Sequence, residues 1–396
     1  MNFTFNMYQT LGLAIILLLF GNWIKMKVNV FQKYFIPAPV IGGLIFSILV
    51  TIGHMNGLFS FTFDSVLKDF FMVVFFTSVG FLASFALLKK GGIGVALFLL
   101  AAIILVIIQN SVGVALAKVF GLNAGIGLAA GSIPLTGGHG TAGAFGPYLE
   151  DLGVTGATVV AVASATYGLV SGCVIGGPIA KRLKDRFNLV CTDGTKEEAK
   201  KAAATEEAEP VTEKSMFQAV CMIGIAMGVG SCITPIVKST VGLSLPAYLM
   251  PMVVAAIIRN VVDAKGKTPI DEIQIVGNIC LSLFLAMAMM TMQLWQLADL
   301  AVPLVTILLV QTVVMAFYAY FVTFNIMGRD YDAAVMATGH CGFGMGATPN
   351  AIANMEAFTS VNGFSVKAFF VIPLVGSLFI DFFNAVIIQT FASIFV

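Results

Sequence analysis

LTGGHGTAG (residues 135–143) and TGHCGFGMG (residues 338–346) each set a histidine among glycines, about two hundred residues apart. Neither stretch reads as a membrane-crossing helix, yet each lies between apolar runs that do. The surrounding chain makes sense of them. Its 396 residues are 59% hydrophobic and 10% charged, against about 25% charged in soluble domains. That composition predicts an all-α integral membrane protein whose main partner is the lipid bilayer. A net charge of +1 without a basic patch gives no nucleic-acid partner. The six cysteines (Cys173, Cys191, Cys221, Cys232, Cys280, Cys341) are scattered and form no CxxC pair. They predict neither a disulfide framework nor a zinc site.

A helix needs about 20 apolar residues to cross the hydrocarbon core. Ten such spans are read: 7–24, 37–55, 68–88, 93–117 and 155–180, then 216–237, 245–262, 273–298, 301–325 and 364–395. The first apolar run has no basic residue before it and Lys25, Lys27 and Lys33 after it. A signal peptide has the opposite polarity, so the run is read as a retained helix with a non-cytoplasmic N-terminus. Ten spans return the C-terminus to that same side. In this orientation 18 of the 21 Lys and Arg residues fall in cytoplasmic connections, leaving only Lys68, Lys118 and Lys238 outside. This is the bias of the positive-inside rule. Residues 181–214 carry eight basic and eight acidic residues with little to bury. They read as a cytoplasmic linker between an N-terminal unit, 1–180, and a C-terminal unit, 215–396.

Matched landmarks relate the two units. IPAPVIGG from Ile36 pairs with LPAYLMP from Leu245, an offset of 209 residues. Gln109 pairs with Gln311 at an offset of 202, and His139 with His340 at 201. With five spans per unit the second copy is inverted, which is an architecture of secondary transporters. The expected fold is ten transmembrane helices in two inverted five-helix repeats, each with a re-entrant hairpin loop.

Those loops are 124–150 and 331–357, and both are interrupted by glycine and proline. Entering from opposite faces, they would meet near the midplane. Non-helical backbone survives at membrane depth where it is buried or lines a cavity. Freed amides at half-helix N-termini hold carboxylates, and freed carbonyls coordinate Na⁺. The candidate substrate-binding residues are Ser132, Thr136, Gly137, Gly138, His139, Gly140 and Thr141, with His340, Gly342, Gly344, Thr348, Pro349 and Asn350. The bland alternative gives the glycines a packing role only and the histidines a structural one.

Asp381 lies inside the last apolar run, where a carboxylate is costly and by default functional. Ser377, Asp381 and Asn384 are spaced i, i+4 and i+7. One continuous helix would put them on one face as hard oxygen donors for Na⁺. Gln109 and Gln311 complete the Na⁺ candidates. A helix–helix hydrogen-bond cluster, or a protonatable Asp381, are the alternatives. No cofactor is expected beyond Na⁺ as the coupling ion, and Na⁺ is the only metal expected.

The chain resembles the bacterial glutamate:Na⁺ symporter family. The likeness is carried by LTGGHGTAGA (135–144), AAVMATGHCGFGMGATPNAIANM (333–355), GNICLSLFLAMAMM (277–290), IPAPVIGGL (36–44), ATYGLVSGCVIGGPIA (165–180) and FIDFFNAVII (379–388). The resemblance implies Na⁺-coupled uptake of L-glutamate across the bacterial inner membrane by alternating access. It also implies a homodimer and an elevator-type movement. The family's first loop usually reads Ser-Gly-Gly-His-Gly-Thr; here Thr136 stands at the Ser position, and Pro134 removes a nearby amide. A Na⁺-coupled di- or tricarboxylate carrier and a channel are the competing readings. An enzyme is not expected, since no nucleophile–base pair stands out.

Overall fold

The computed structural model describes residues 2–90, 92–191, 210–241, 245–263, 268–295 and 300–396. Most of the charged linker, 192–209, lies outside the described residues. The fold is overwhelmingly helical. Among the described residues, seven helices are long and apolar enough to cross a membrane, or eight if the bent pair Val366–Leu378 and Ile380–Phe395 is one span. This is a multi-pass membrane protein.

Three of the expected spans are shorter than read. The stretch 68–88 is helical only over Val66–Leu82, breaks at Ala83 and Ser84, and resumes at Phe85–Lys90. Asn260 explains how a break survives there. Its Nδ2 donates to the Ala83 carbonyl at 2.8 Å, and its Oδ1 accepts from the Phe85 amide at 2.8 Å. A side chain thus replaces the missing backbone partners. The seventh stretch is the 15-residue helix Leu249–Asp263, about 22 Å long at 1.5 Å per residue. The eighth, expected over 273–298, is helical over Ile270–Met290.

The expectation of an all-α chain also misses a two-stranded parallel ribbon. Asn2–Phe5 pairs with Ser60–Phe63, with Asn2 opposite Ser60. Phe3 stacks on Phe61 at 5.5 Å and Phe5 packs on Phe63 at 5.2 Å. Strands of four residues are too short to display a period-2 pattern.

The helices sort into two bodies, and each body draws on both halves of the sequence. One contains Met7–Lys27, Ala38–Met55 and Val66–Leu82 with Glu213–Val241, Leu249–Asp263 and Ile270–Met290. Small residues set its crossings. A β-carbon on Gly42 would run into the Leu17 carbonyl, and one on Gly80 into the Met252 carbonyl. The other body contains Gly92–Val119, Ala157–Phe187, Ala301–Ile326, the bent C-terminal pair and both glycine-rich stretches.

The two bodies meet along an apolar surface. Tyr248 of the six-helix body stacks on Phe76 at 4.3 Å and receives the edge of Phe145 at 5.4 Å. Beside it, Gly140 and Gly143 face Leu281 and Phe284; a β-carbon at Gly143 would lie 3.0 Å from the Phe284 ring.

Candidate substrate and ion site

Both glycine-rich stretches are helix–break–helix hairpins. The first runs through Ala124–Ala129 and Ser132–Leu135, breaks at Thr136 and Gly137, and returns as Gly138–Asp151. The second is Tyr331–Gly344, a break at Met345 to Ala347, and Thr348–Asn362. Asp330 caps the second, its Oδ1 accepting from the Ala333 amide at 2.7 Å. Gly138 takes φ +63°, a value costly for any residue with a β-carbon, and such a carbon would stand 3.1 Å from the Gly346 carbonyl oxygen. The two tips therefore touch.

Their feet have different neighbours. The first hairpin ends near Thr158, whose amide donates to Glu150 Oε1 at 3.0 Å, and Tyr148 receives a bond from Gln389 Nε2 at 2.9 Å. At the second foot, Lys184 Nζ bonds Asn362 Oδ1, and Tyr331 donates to the Gly363 carbonyl at 2.5 Å.

One side chain joins the tips. The Thr136 hydroxyl donates to Gln109 Oε1 at 2.7 Å, and Gln109 Nε2 donates to the Gly344 carbonyl at 2.6 Å. Gln311 Nε2 donates to the Gln109 backbone carbonyl at 2.7 Å. The paired glutamines therefore meet each other, and Gln109 spends both ends of its amide on the hairpins. Gln311 Oε1 is buried without a donor among the described residues.

Beside this knot, Asn110 Oδ1 accepts from the Ser132 amide at 3.0 Å. The Ser132 hydroxyl donates to Asn384 Oδ1 at 2.7 Å, and Asn384 Nδ2 donates back to the Ser132 carbonyl at 3.2 Å. Asn350 Nδ2 donates to the Leu169 carbonyl at 3.0 Å, while its Oδ1 is buried without a donor among the described residues. Gly342 packs the arms of its own hairpin together, since a β-carbon there would meet Ala351 Cα at 2.5 Å. Gly137, Gly140 and Thr348 are half-buried, Thr141 is buried, and Pro349 is exposed at the start of the second return arm.

The histidines do not occupy equivalent places, although equal spacing suggested it. His139 lies on the return arm of the first hairpin, whereas His340 lies on the entering arm of the second. Thr166 donates its hydroxyl proton to the Val162 carbonyl at 3.1 Å, so it accepts from His139 Nε2 at 3.0 Å. His340 bonds Thr323 through Nδ1 at 2.8 Å, and stacks on Phe343 at 4.8 Å with Phe98 edge-on at 4.9 Å. It is a fully buried ring in an aromatic cluster. Thr323 closes a π-helical turn, Tyr318–Thr323.

The proposed face of Ser377, Asp381 and Asn384 is not continuous. The helix bends by 44° between Leu378 and Ile380, just after the adjacent pair Gly376 and Ser377. Ser377 points outward and is exposed, Asp381 is half-buried, and Asn384 is fully buried. Asp381 has no hydrogen-bond or ion-pair partner among the described residues. Ser377 is thereby separated from the other two.

Some contributors carried no signal in the sequence. Thr166 and Thr323 sit in apolar runs of the sequence with nothing local to mark them. Asn354, which donates to the Gly172 carbonyl at 3.0 Å, was findable: it lies four residues after Asn350, on the same helix face.

Similarity to known proteins gives the family. The family model described as sodium/glutamate symporter matches residues 3–364. The chain belongs to the sodium/glutamate symporter family. It is 40% identical over 399 residues to a sodium/glutamate symporter of Haemophilus influenzae, covering 98% of each chain. It is 40% identical over 388 residues to the Escherichia coli sodium/glutamate symporter, covering 96% of each. This is a family of transporters rather than enzymes.

Proposed function

We propose that the chain carries L-glutamate into the cell together with Na⁺ by alternating access, with the substrate held where the hairpin tips meet. The observation that carries this reading is the Gln109 bridge from Thr136 to Gly344, which makes one site of two distant segments. Each tip ends one helix and begins another. Return arms starting at Gly138 and Thr348 offer helix N-termini to the two carboxylates of glutamate. Entering arms ending at Leu135 and Gly344 offer carbonyls to a cation.

The substrate set is Ser132, Thr136 to Thr141, His340, Gly342, Gly344, Thr348, Pro349 and Asn350. In this set His340 and Gly342 act by shaping the second hairpin. Na⁺ is assigned to Asp381 and Gln311, whose oxygens are not committed to protein donors; Gln109 and Asn384 position the hairpins around it. Ser377 takes no part.

The architecture follows from the same reading. Ten spans form two inverted repeats, 1–180 and 215–396, with re-entrant hairpins 124–150 and 331–357. The linker 181–214 is cytoplasmic, and both termini lie on the other side of a bacterial inner membrane. The hairpin body slides as an elevator along the six-helix body, the smooth Gly140–Gly143 face being the track. The protein works as a homodimer, as the family resemblance implies.

Uptake by proteoliposomes tests this directly. An inward Na⁺ gradient should drive saturable accumulation of labelled glutamate, with citrate failing to compete. Equal uptake with choline in place of Na⁺ overturns the coupling.

A further inference from the structure

The long helix Ala157–Phe187 leaves its apolar stretch beside the foot of the second hairpin. The two enclose a cavity of about 370 Å³ lined by Lys181, Lys184, Asp185, Phe358, Val361 and Asn362, among others. Lys181 and Lys184 are three residues apart on one helix, so their ammonium groups reach the same wall. Lys184 is half-buried, and its Nζ rests on Asn362 Oδ1, an uncharged acceptor. Among the described residues neither lysine has a carboxylate within ion-pair distance, Asp185 included.

The opposite wall has another character. Phe358 is buried at its base, and Val361 is 83% exposed at its rim. Gly177 also lines this space, and a β-carbon there would meet nothing within 4 Å, so the groove stays open toward the apolar part of the helix. Two ammonium groups, outnumbering the single carboxylate of Asp185 and ion-paired to none among the described residues, face a wall formed by Ala357, Phe358 and Val361 and match an amphiphile with an anionic head. Basic pockets between helices at the membrane surface recognise lipid head groups in this way.

We propose that this cavity binds the phosphate head group of an anionic phospholipid. Lys181 and Lys184 hold the phosphate through charge-assisted hydrogen bonds, and Phe358 and Val361 receive the start of an acyl chain. The site lies on the hairpin body, apart from the tips, and does not depend on which solute is carried.

Native mass spectrometry of the full-length protein in detergent tests it, with dioleoylphosphatidylglycerol as the probe. Binding should weaken roughly thirty-fold in Lys181→Gln/Lys184→Gln and roughly five-fold in Lys181→Gln alone. Lys181 is exposed, so the single variant keeps the fold. Arg182→Gln removes one charge outside the cavity lining and should bind as the unaltered protein does. Dioleoylglycerol, which has the chains without the phosphate, should not bind. Unchanged lipid binding in the double variant, or an equal loss in Arg182→Gln, overturns the site. Inorganic phosphate binding as tightly as the lipid overturns the lipid assignment.

Discussion

Thr136 and Gln109 are 27 positions apart in sequence and joined by a 2.7 Å hydrogen bond inside the protein, and the same amide continues to Gly344. Gln109→Leu removes both bonds at once. It leaves the Thr136 hydroxyl and the Gly344 carbonyl buried without their partner, at about 1–3 kcal/mol for each. Na⁺-driven uptake should fall at least about ten-fold. Thr136→Val and Gln109→Leu should also be non-additive, with a coupling of about 0.5–3 kcal/mol in melting experiments. Additive losses would mean that the bond does not link the tips.

His340 is packed as a core ring, and its substitution should act on stability. His340→Ala opens a cavity between Phe98 and Phe343 and releases Thr323. The expected loss is about 3–5 kcal/mol, the range for removing a large buried ring. Detergent melting should drop sharply while the KM of the remaining folded protein holds. A raised KM at an unchanged melting temperature would instead make the ring a ligand.

The extent to which these features were legible depends on how local they are. Broken helices announce themselves, because glycines around Thr136 and Met345 interrupt long apolar runs. The partnership of Gln109 and Gln311 was visible as a matched pair of polar interruptions, though not as mutual contact. The break at Ala83 was hidden, since Asn260 repairs it from 177 residues away. The bend after Ser377 was hidden too, for a Gly-Ser pair is compatible with a straight helix. Equal spacing also misled: an offset of 201 matches the histidines by letter, whereas the hairpin breaks are about 209 apart, so the rings fall on opposite arms. The partition into two bodies rests wholly on long-range packing.

Gly143 tests the sliding surface. A leucine there would overfill the contact with Phe284 and Leu285, at about 1–3 kcal/mol. Gly143→Leu should still bind glutamate, measured by Na⁺-dependent thermal stabilisation, while uptake falls to background. Normal uptake by this variant would show that the face does not move against the six-helix body.

Asp381 offers a separate test of ion coupling. Asp381→Asn keeps the size and removes the charge, so half-maximal uptake should require at least about ten-fold more Na⁺. Ser377→Ala, outward and exposed beyond the bend, should leave the Na⁺ titration unchanged. Identical titrations for both variants would remove Asp381 from the ion path.

The interleaving of the halves bears on how the chain is made. Neither body can close from residues 1–191 alone, because each lacks three helices or a hairpin that the ribosome has yet to deliver. The nascent first half must sit in the membrane with Gln109 still waiting for Gly344 and Gln311, and Phe76 for Tyr248. Assembly of either body is therefore a late, post-insertion event that waits for the helices beyond the linker.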